Sequence, residues 1–313
     1  MTNLTKVSVI IPVYNKALTI GRSIESALCQ THCDLEILVV DDGSSDQTLD
    51  AVKPFTRYPQ VRYLRHQRNK GHQAARNTGI RNSCGDYIAF LDADDEWSPQ
   101  KIELQLDAIK NRGSNCVVLT GMWIVAGDAS KTKYLKKYNG YVYPEMLASS
   151  GPNFCCLLVP AEYLREIGFL DESTLALADW DTCISLSRLY EFITVDEYCT
   201  IYHANEPNSV TQNTLARALG YQHIVEKNEN DMLRFIGRRG LARHHLIIAD
   251  LFDAAGEFSQ CKAQVFQAFK TDCINPETFL LAFSTLFGAR AFHFVRFYGA
   301  LIENRLIRKE ART

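Results

Sequence analysis

The sequence predicts an α/β protein, with a mostly parallel sheet flanked by helices and a wholly helical C-terminal region. Three observations predict it. Short apolar runs alternate with helical periodicity through the first hundred-odd residues, the pattern of parallel strands joined by helical crossovers. Two of those runs end abruptly in clusters of aspartates. From about Thr214 onward, helical spacing continues almost unbroken. A chain of 313 residues suffices for two domains, and the boundary is expected between residues 213 and 214.

Val7–Ile11 is a continuous apolar run, read as the first strand and ended by Pro12. Ile20, Ile24, Ala27 and Leu28 then share one helical face. Leu35–Val40 is a second buried strand and stops at Asp41-Asp42-Gly43-Ser44-Ser45-Asp46. Val61–Leu64 is a weaker third strand, Gln73–Asn82 a helix, and Tyr87–Leu91 a fourth strand running into Asp92-Ala93-Asp94-Asp95. Ser98 followed by Pro99 reads as a cap and first-turn proline opening a helix to about Lys110. Val117–Val125 is strand-like, Asp128–Lys137 polar and loop-like, and Asp179–Tyr190 helical. In the tail, Leu251–Pro276 is similar to part of a tetratricopeptide repeat; one such unit makes no array and is expected as a helical hairpin.

Composition narrows the function. Lys+Arg 34 against Asp+Glu 36 gives no electrostatic case for nucleic acid. No apolar run reaches the roughly 18–20 residues of a spanning helix. Met1–Lys6 has no signal-peptide pattern. None of the 10 cysteines is spaced Cys-x-x-Cys; they fit reduced thiols in a cytoplasmic protein.

In open α/β sheets the ligand crevice lies beyond the carboxyl ends of the strands, so both aspartate clusters belong at that edge. Carboxylates so close repel one another unless a cation or donor-rich ligand compensates. A hard divalent ion shared with substrate phosphates is one solution, and hydrogen bonds from a base or ribose are another. Asp-Asp-Gly-Ser is also a common turn sequence, but two clusters at two strand ends favour a site. No Gly-x-Gly-x-x-Gly or phosphate loop follows the first strand, and no Gly-x-Ser-x-Gly elbow occurs. Metal and cationic side chains are therefore expected to hold any phosphates.

Four ordered segments carry a family resemblance: Val7–Asn15 (VSVIIPVYN), Glu36–Thr48 (EILVVDDGSSDQT), Gly71–Ile80 (GHQAARNTGI) and Gly85–Trp97 (GDYIAFLDADDEW). Together with Gly168–Glu172 and Ala178–Asp181 they resemble the family-2 glycosyltransferases of the GT-A fold, over roughly residues 7–211. The resemblance implies a nucleotide-binding half to about residue 112 and an acceptor half over about 113–213. It implies an inverting transferase moving a sugar from a nucleotide-diphosphate donor, a UDP-sugar favoured, to a hydroxyl of a saccharide or lipid-linked saccharide acceptor. Assembly of bacterial surface polysaccharide or glycolipid is the expected setting.

By the same resemblance, Pro12 and Tyr14 line the base pocket and Asp42 hydrogen-bonds the base. Asp92 lies near the ribose, and Asp94 holds a Mn²⁺ or Mg²⁺ ion on the diphosphate. Arg76 reaches the diphosphate or pins the acidic crevice. Inversion needs a base opposite the leaving group, and Asp179 matches the family's aspartate, with Asp181 as the fallback. Ala178 stands where the family usually has Glu, which leaves a second reading open: a catalytically weakened nucleotide-sugar-binding or scaffolding protein. A sugar nucleotidyltransferase ranks last, since it would need a Gly-rich loop after the first strand. The family's terminal loop corresponds to Pro207–Thr211, with His203 before it but out of register.

Residues 277–313 interleave Phe and Leu with six basic and three acidic residues. Two readings stand for this segment: it lies in a membrane interface at the inner face, or it packs on the catalytic domain with its arginines solvated.

Overall fold

A sheet of nine strands organises the first of two compact units, residues 1–212, in the computed structural model. The structure describes residues 5–126, 130–204, 213–289, 291–292 and 295–296. Pro207–Thr211, Arg290 and everything beyond residue 296 lie outside the described residues.

In chain order the elements are β1 (Val7–Val13), α1 (Ile20–Leu28), β2 (Leu35–Asp41), α2 (Thr48–Val52), β3 (Val61–Arg65), α3 (His72–Asn82), β4 (Tyr87–Phe90), β5 (Glu96–Trp97) and α4 (Lys101–Arg112). They continue with β6 (Val117–Ala126), β7 (Ser130–Tyr134), α5 (Tyr143–Ala148), β8 (Leu157–Pro160), α6 (Ala161–Glu166), α7 (Ala178–Ser187) and β9 (Phe192–Ala204). The sheet order is β3-β2-β1-β4-β8-β6-β9-β5, with β7 beside β6. The first four strands are parallel, β8 runs antiparallel to both its neighbours, and β9 is parallel to β6. This is the mostly parallel α/β sheet that the alternating pattern predicts.

β1 and β4 are buried along their whole lengths, which is why they read as continuous rather than alternating apolar runs. α3 packs closely on β1. A Cβ at Gly79 would stand 2.5 Å from the Ile10 side chain, so that contact requires glycine. The chain therefore emerges from β1, β2 and β4 at a single edge.

Several elements differ from expectation. β1 runs through Pro12 to Val13; its pairing with β4 stops at Ile10, so the missing Pro12 N–H falls past that neighbour's end. α4 starts at Lys101 with Gln100 at the cap position. Ser98 is instead tied to β9, its N–H donating to the Cys199 carbonyl at 2.8 Å. The stretch expected as a loop at 128–137 contains β7, a lysine-bearing strand paired only with β6, which explains its lack of apolar alternation. β9, interrupted by Asp196 and Glu197, carries no clear period either.

The second unit contains α8 (Thr214–Phe235), α9 (Gly237–Ala254), α10 (Phe258–Thr271) and α11 (Pro276–Thr285). The expected hairpin is α9 and α10, turning at Gly256 with φ 79°. His244 and His245 are packing residues, bonded to the Tyr221 hydroxyl at 2.9 Å and to Gln264 Oε1 at 2.8 Å. No helix among the described residues is long and apolar enough to cross a membrane.

Lys101 is a fully buried ammonium beneath β8, donating to Gln105 Oε1 at 2.9 Å and lying 4.2 Å from the Trp97 ring centroid. Burial lowers its pKa to about 8. The unfolded chain keeps this proton to a higher pH than the fold does, so stability rises as pH climbs from about 8 towards the ordinary lysine value. The charged form costs the fold on the order of 3 kcal/mol below pH 8. Lys101→Met should stabilise the protein by about 1–2 kcal/mol at pH 7, and the gain over wild type should shrink towards pH 10 in chemical denaturation.

Candidate active site

Three loops meet at the edge where β1, β2 and β4 end. Asn15, at φ 52°, uses its side-chain oxygen to accept from the Ser45 N–H at 2.8 Å, and its own N–H donates to Ser44 Oγ at 2.9 Å. The loop after β1 is thereby stapled to the loop after β2. Gly43 makes the second loop possible: its φ is 78°, and a Cβ there would stand 2.8 Å from the Arg68 backbone.

Asp42, 2% exposed, sits at the end of β2. Oδ1 accepts from Lys70 N–H at 2.9 Å and faces His66 Nδ1 at 2.7 Å, while Oδ2 accepts from Gly71 N–H at 2.7 Å. Its charge thus anchors the start of α3. Pro12 is buried and Tyr14 half-buried at the end of β1.

Beyond β4, each acid has its own partner. Arg76 of α3 pairs with Asp92 at 2.5 Å, and its guanidinium lies 4.7 Å from the Phe154 ring centroid. The Arg76 Nε is buried with no hydrogen-bond acceptor. Lys16 pairs with Asp94 at 2.8 Å, and Arg22 donates to the Asp94 carbonyl at 2.5 Å. Asp95 is 1% exposed and accepts from His203 N–H at 3.1 Å and from the Cys155 thiol at 3.3 Å. Burial first, then the charges of Asp92 and Asp94, push the Asp95 carboxyl well above the usual range. The His203 ring faces Glu96 Oε1 at 2.8 Å. His72, at the start of α3, feels Asp92, Asp42 and Asp94 together, although desolvation and then Arg76 lower its pKa overall.

Asp92, Asp95 and Cys155 each offer a ligand atom, all within 4.8 Å of one another. Burial raises the Cys155 pKa, so the thiol holds its proton and the two carboxylates are the hard donors. The raised pKa of Asp95 marks surplus negative charge, which a divalent cation would relieve. The residues therefore fit such an ion. Asp94, paired with Lys16, lies outside that trio.

Asp179 lies in the first turn of α7, and its Oδ1 accepts from Trp180 N–H at 2.9 Å. Burial pushes its carboxyl up to about 6; Arg76 acts against this and Asp92 with it. The structure thus brings Asp179, Arg76 and Asp92 within electrostatic reach of one another. Leu177, which precedes α7, has φ 63°, a strained conformation for a branched side chain. The loop leading there hangs from α3. Asn77 Nδ2 donates to the Leu170 carbonyl at 2.9 Å and its Oδ1 accepts from Leu170 N–H at 3.0 Å. Gln73 Nε2 donates to the Thr174 carbonyl at 2.5 Å.

Sequence reasoning missed Lys16, His66, His72 and Cys155. Lys16 had a signal, being a cation one residue past the first motif; Cys155 had none, since only the return of β8 beside β4 brings it to the acids.

A family model described as Glycosyl transferase family 2 matches residues 8–161. A chondroitin synthase from Escherichia coli is 36% identical over 198 residues, which is 62% of this chain and 28% of the synthase. Among solved structures, residues 1–349 of TarS from S. aureus, in complex with UDP-GlcNAc, align with TM-score 0.69 at 18% identity, covering 93% of this chain and 87% of that one. The mannosyltransferase PcManGT from Pyrobaculum calidifontis, in complex with GDP-Man and Mn²⁺, aligns with TM-score 0.62 at 18% identity over 96% and 81%. At such identities these likenesses show the fold, which is GT-A. The chain spans between 24% and 40% of the lengths of the first curated relatives it matches.

Asn77 is 1% exposed, and truncating it leaves buried Leu170 backbone groups unpaired. Asn77→Ala should destabilise the protein by about 2 kcal/mol. Hydrogen exchange should speed selectively at residues 170–174 in the same variant.

Proposed function

We propose that this chain, whose residues 8–161 match the family model described as Glycosyl transferase family 2, transfers a sugar with inversion from a nucleotide-diphosphate donor, a UDP-sugar favoured, to an acceptor hydroxyl. The observation that carries this reading is the Arg76–Asp92 pair at the acidic edge with Asp179, its pKa pushed up to about 6, within electrostatic reach of both.

Pro12 and Tyr14 line the base. A carboxylate has about four lone-pair sites, and Asp42 spends three on Lys70, Gly71 and His66, keeping one for the base. Asp92 meets the ribose. Arg76 turns its unsatisfied Nε to the diphosphate. Asp94 would hold Mn²⁺ or Mg²⁺, the nearby Asp92 and Asp95 carboxylates would add to the negative charge that favours the ion, and the ion would take over from Lys16 in balancing Asp94. The bound ion supplies charge neutralisation for the departing nucleoside diphosphate. Asp179 accepts the acceptor hydroxyl's proton as the new C–O bond forms: it is ionised at neutral pH yet more basic than an ordinary carboxylate. That property supports an active enzyme despite Ala178. The relative named chondroitin synthase supports a saccharide or lipid-linked saccharide acceptor and a place in surface polysaccharide or glycolipid assembly.

Asp179→Asn should retain donor affinity while transfer falls by roughly 10²–10⁴-fold. In wild type, turnover should fall about tenfold per pH unit below pH 6, where the base becomes protonated. Asp94→Ala should abolish the Mn²⁺-dependence of donor binding, read by calorimetry. Full turnover in Asp179→Asn would overturn the assignment of the base.

In this reading the chain acts in the cytoplasm, with peripheral contact to the inner membrane face through residues 277–313. Support comes from α11 and the turn after it, where Leu281 and Ala282 are buried but most of the large apolar side chains are not. Phe279, Leu280, Phe283, Leu286 and Phe287 are each more than half exposed, whereas Thr278, Ser284 and Thr285 are buried. A basic sequence follows, suited to anionic lipid. Phe283→Asp/Phe287→Asp should lose flotation with vesicles containing anionic lipid; unchanged flotation would refute the contact.

A further inference from the structure

In the glycosyltransferase reading Asp42 meets the base, and three donors already sit on its carboxylate. Two are the backbone N–H groups of Lys70 and Gly71, placed by the loop before α3. The third is a side chain, His66. β2 and β3 pair Asp41 with Arg65, and the His66 N–H donates to the Asp41 carbonyl at 2.8 Å. His66 therefore leaves β3 in step with Asp42 leaving β2.

The His66 ring stands between two fixed partners. Nδ1 lies 2.7 Å from Asp42 Oδ1, and Nε2 lies 2.9 Å from the Thr78 hydroxyl of α3. Thr78 precedes Gly79, whose close approach to Ile10 sets the height of α3 above β1. The side chains of His66 and Asp42 are 9% and 3% exposed, so water has little access to take over either contact. The direction of each bond follows from the groups. An ionised carboxylate only accepts, so Nδ1 carries the hydrogen, and in the neutral ring Nε2 then accepts from the Thr78 hydroxyl. Thr78 thereby selects the tautomer that Asp42 requires.

Lys70 and His66 together fill both lone-pair sites of Oδ1, and Gly71 takes one of the two on Oδ2. One acceptor site remains, on Oδ2. Without the ring, Oδ1 would have an open site too, and the carboxylate would no longer present a single direction. We propose that His66, held by Thr78, is a positioning residue for base recognition, fixing Asp42 so that its one remaining site meets a ring N–H of the donor's base. The ligand class is a nucleoside diphosphate whose base carries such a group, the N3–H of uracil or the N1–H of guanine. This inference rests on the glycosyltransferase reading above.

The test uses the full chain with UDP and 3-methyl-UDP, in which a methyl group replaces the N3 hydrogen, and in parallel GDP and 1-methyl-GDP. Affinities are read by calorimetry in the presence of Mn²⁺. Wild type should prefer one unmodified nucleotide over its methylated form by roughly tenfold or more. His66→Phe keeps a ring but no donor, and should weaken the unmodified nucleotide by about fivefold or more while sparing the methylated one. His66→Asn, whose amide nitrogen falls where Nδ1 stands, should recover most of the preference. Thr78→Val keeps the side chain's shape without its hydroxyl and should cut the preference about threefold; it decides the matter if His66→Phe does not fold. Full preference in His66→Phe or Thr78→Val, no recovery in His66→Asn, or an equal loss for both nucleotides would overturn the positioning role. Wild-type binding without preference for the N–H would overturn it too, by removing Asp42 from the base. Failure of wild type to bind any of the four nucleotides would instead defeat the transferase reading itself.

Discussion

One buried guanidinium ties the acidic edge together. Arg76, 6% exposed, pairs with Asp92 after β4, lies against Phe154 before β8, and acts electrostatically on Asp179 at the start of α7. It reaches all three because of where α3 lies. Gln73, Arg76 and Asn77 follow the i, i+3, i+4 spacing of one helical face, and all three are buried. Gly79 on the same helix allows the close approach to β1. A buried cation without a partner would be expensive, so the helix and the acid after β4 depend on each other.

The charge balance around that pair shapes the chemistry. Asp92 has Arg76 and Asp94 has Lys16, but Asp95 has only an amide and a thiol. Two carboxylates are neutralised by cations on the chain, and the third is pushed towards its protonated form. The surplus negative charge at this edge is concentrated on Asp95. The positive charge at this edge comes from side chains on the β1–α1 loop and α3, with no glycine-rich loop after β1.

What was legible in the sequence follows from burial. β1, β2 and β4 are covered on both faces and read as plain apolar runs, and their ends carried Asp42, Asp92 and Asp94 into view. β7 and β9 escaped because one is an edge strand with lysines outward and the other carries Asp196 and Glu197 in its middle. Ser98 looked like a helix cap because its local sequence suits one, but a long-range bond to Cys199 claims its backbone. Cys155 and Lys16 were hidden for a related reason, since their partners lie 60 and 78 residues away in sequence. Motif spacing reports local geometry, and these contacts are set by sheet topology.

Asp179 owes its raised pKa chiefly to burial. Where the family usually has Glu, this chain has buried Ala178, so no adjacent carboxylate raises the pKa of the aspartate. Burial does so instead, with Asp92 assisting and Arg76 opposing, and the result is about 6. Burial of that kind needs the carboxyl held in one place. The strained Leu177 backbone would relax if the preceding loop were free, but Asn77 fixes that loop at Leu170 and Gln73 fixes it at Thr174. The same face of α3 that supplies Arg76 to Asp92 therefore also restrains the loop leading to Asp179, so both sides of the acidic edge are set by a single helix.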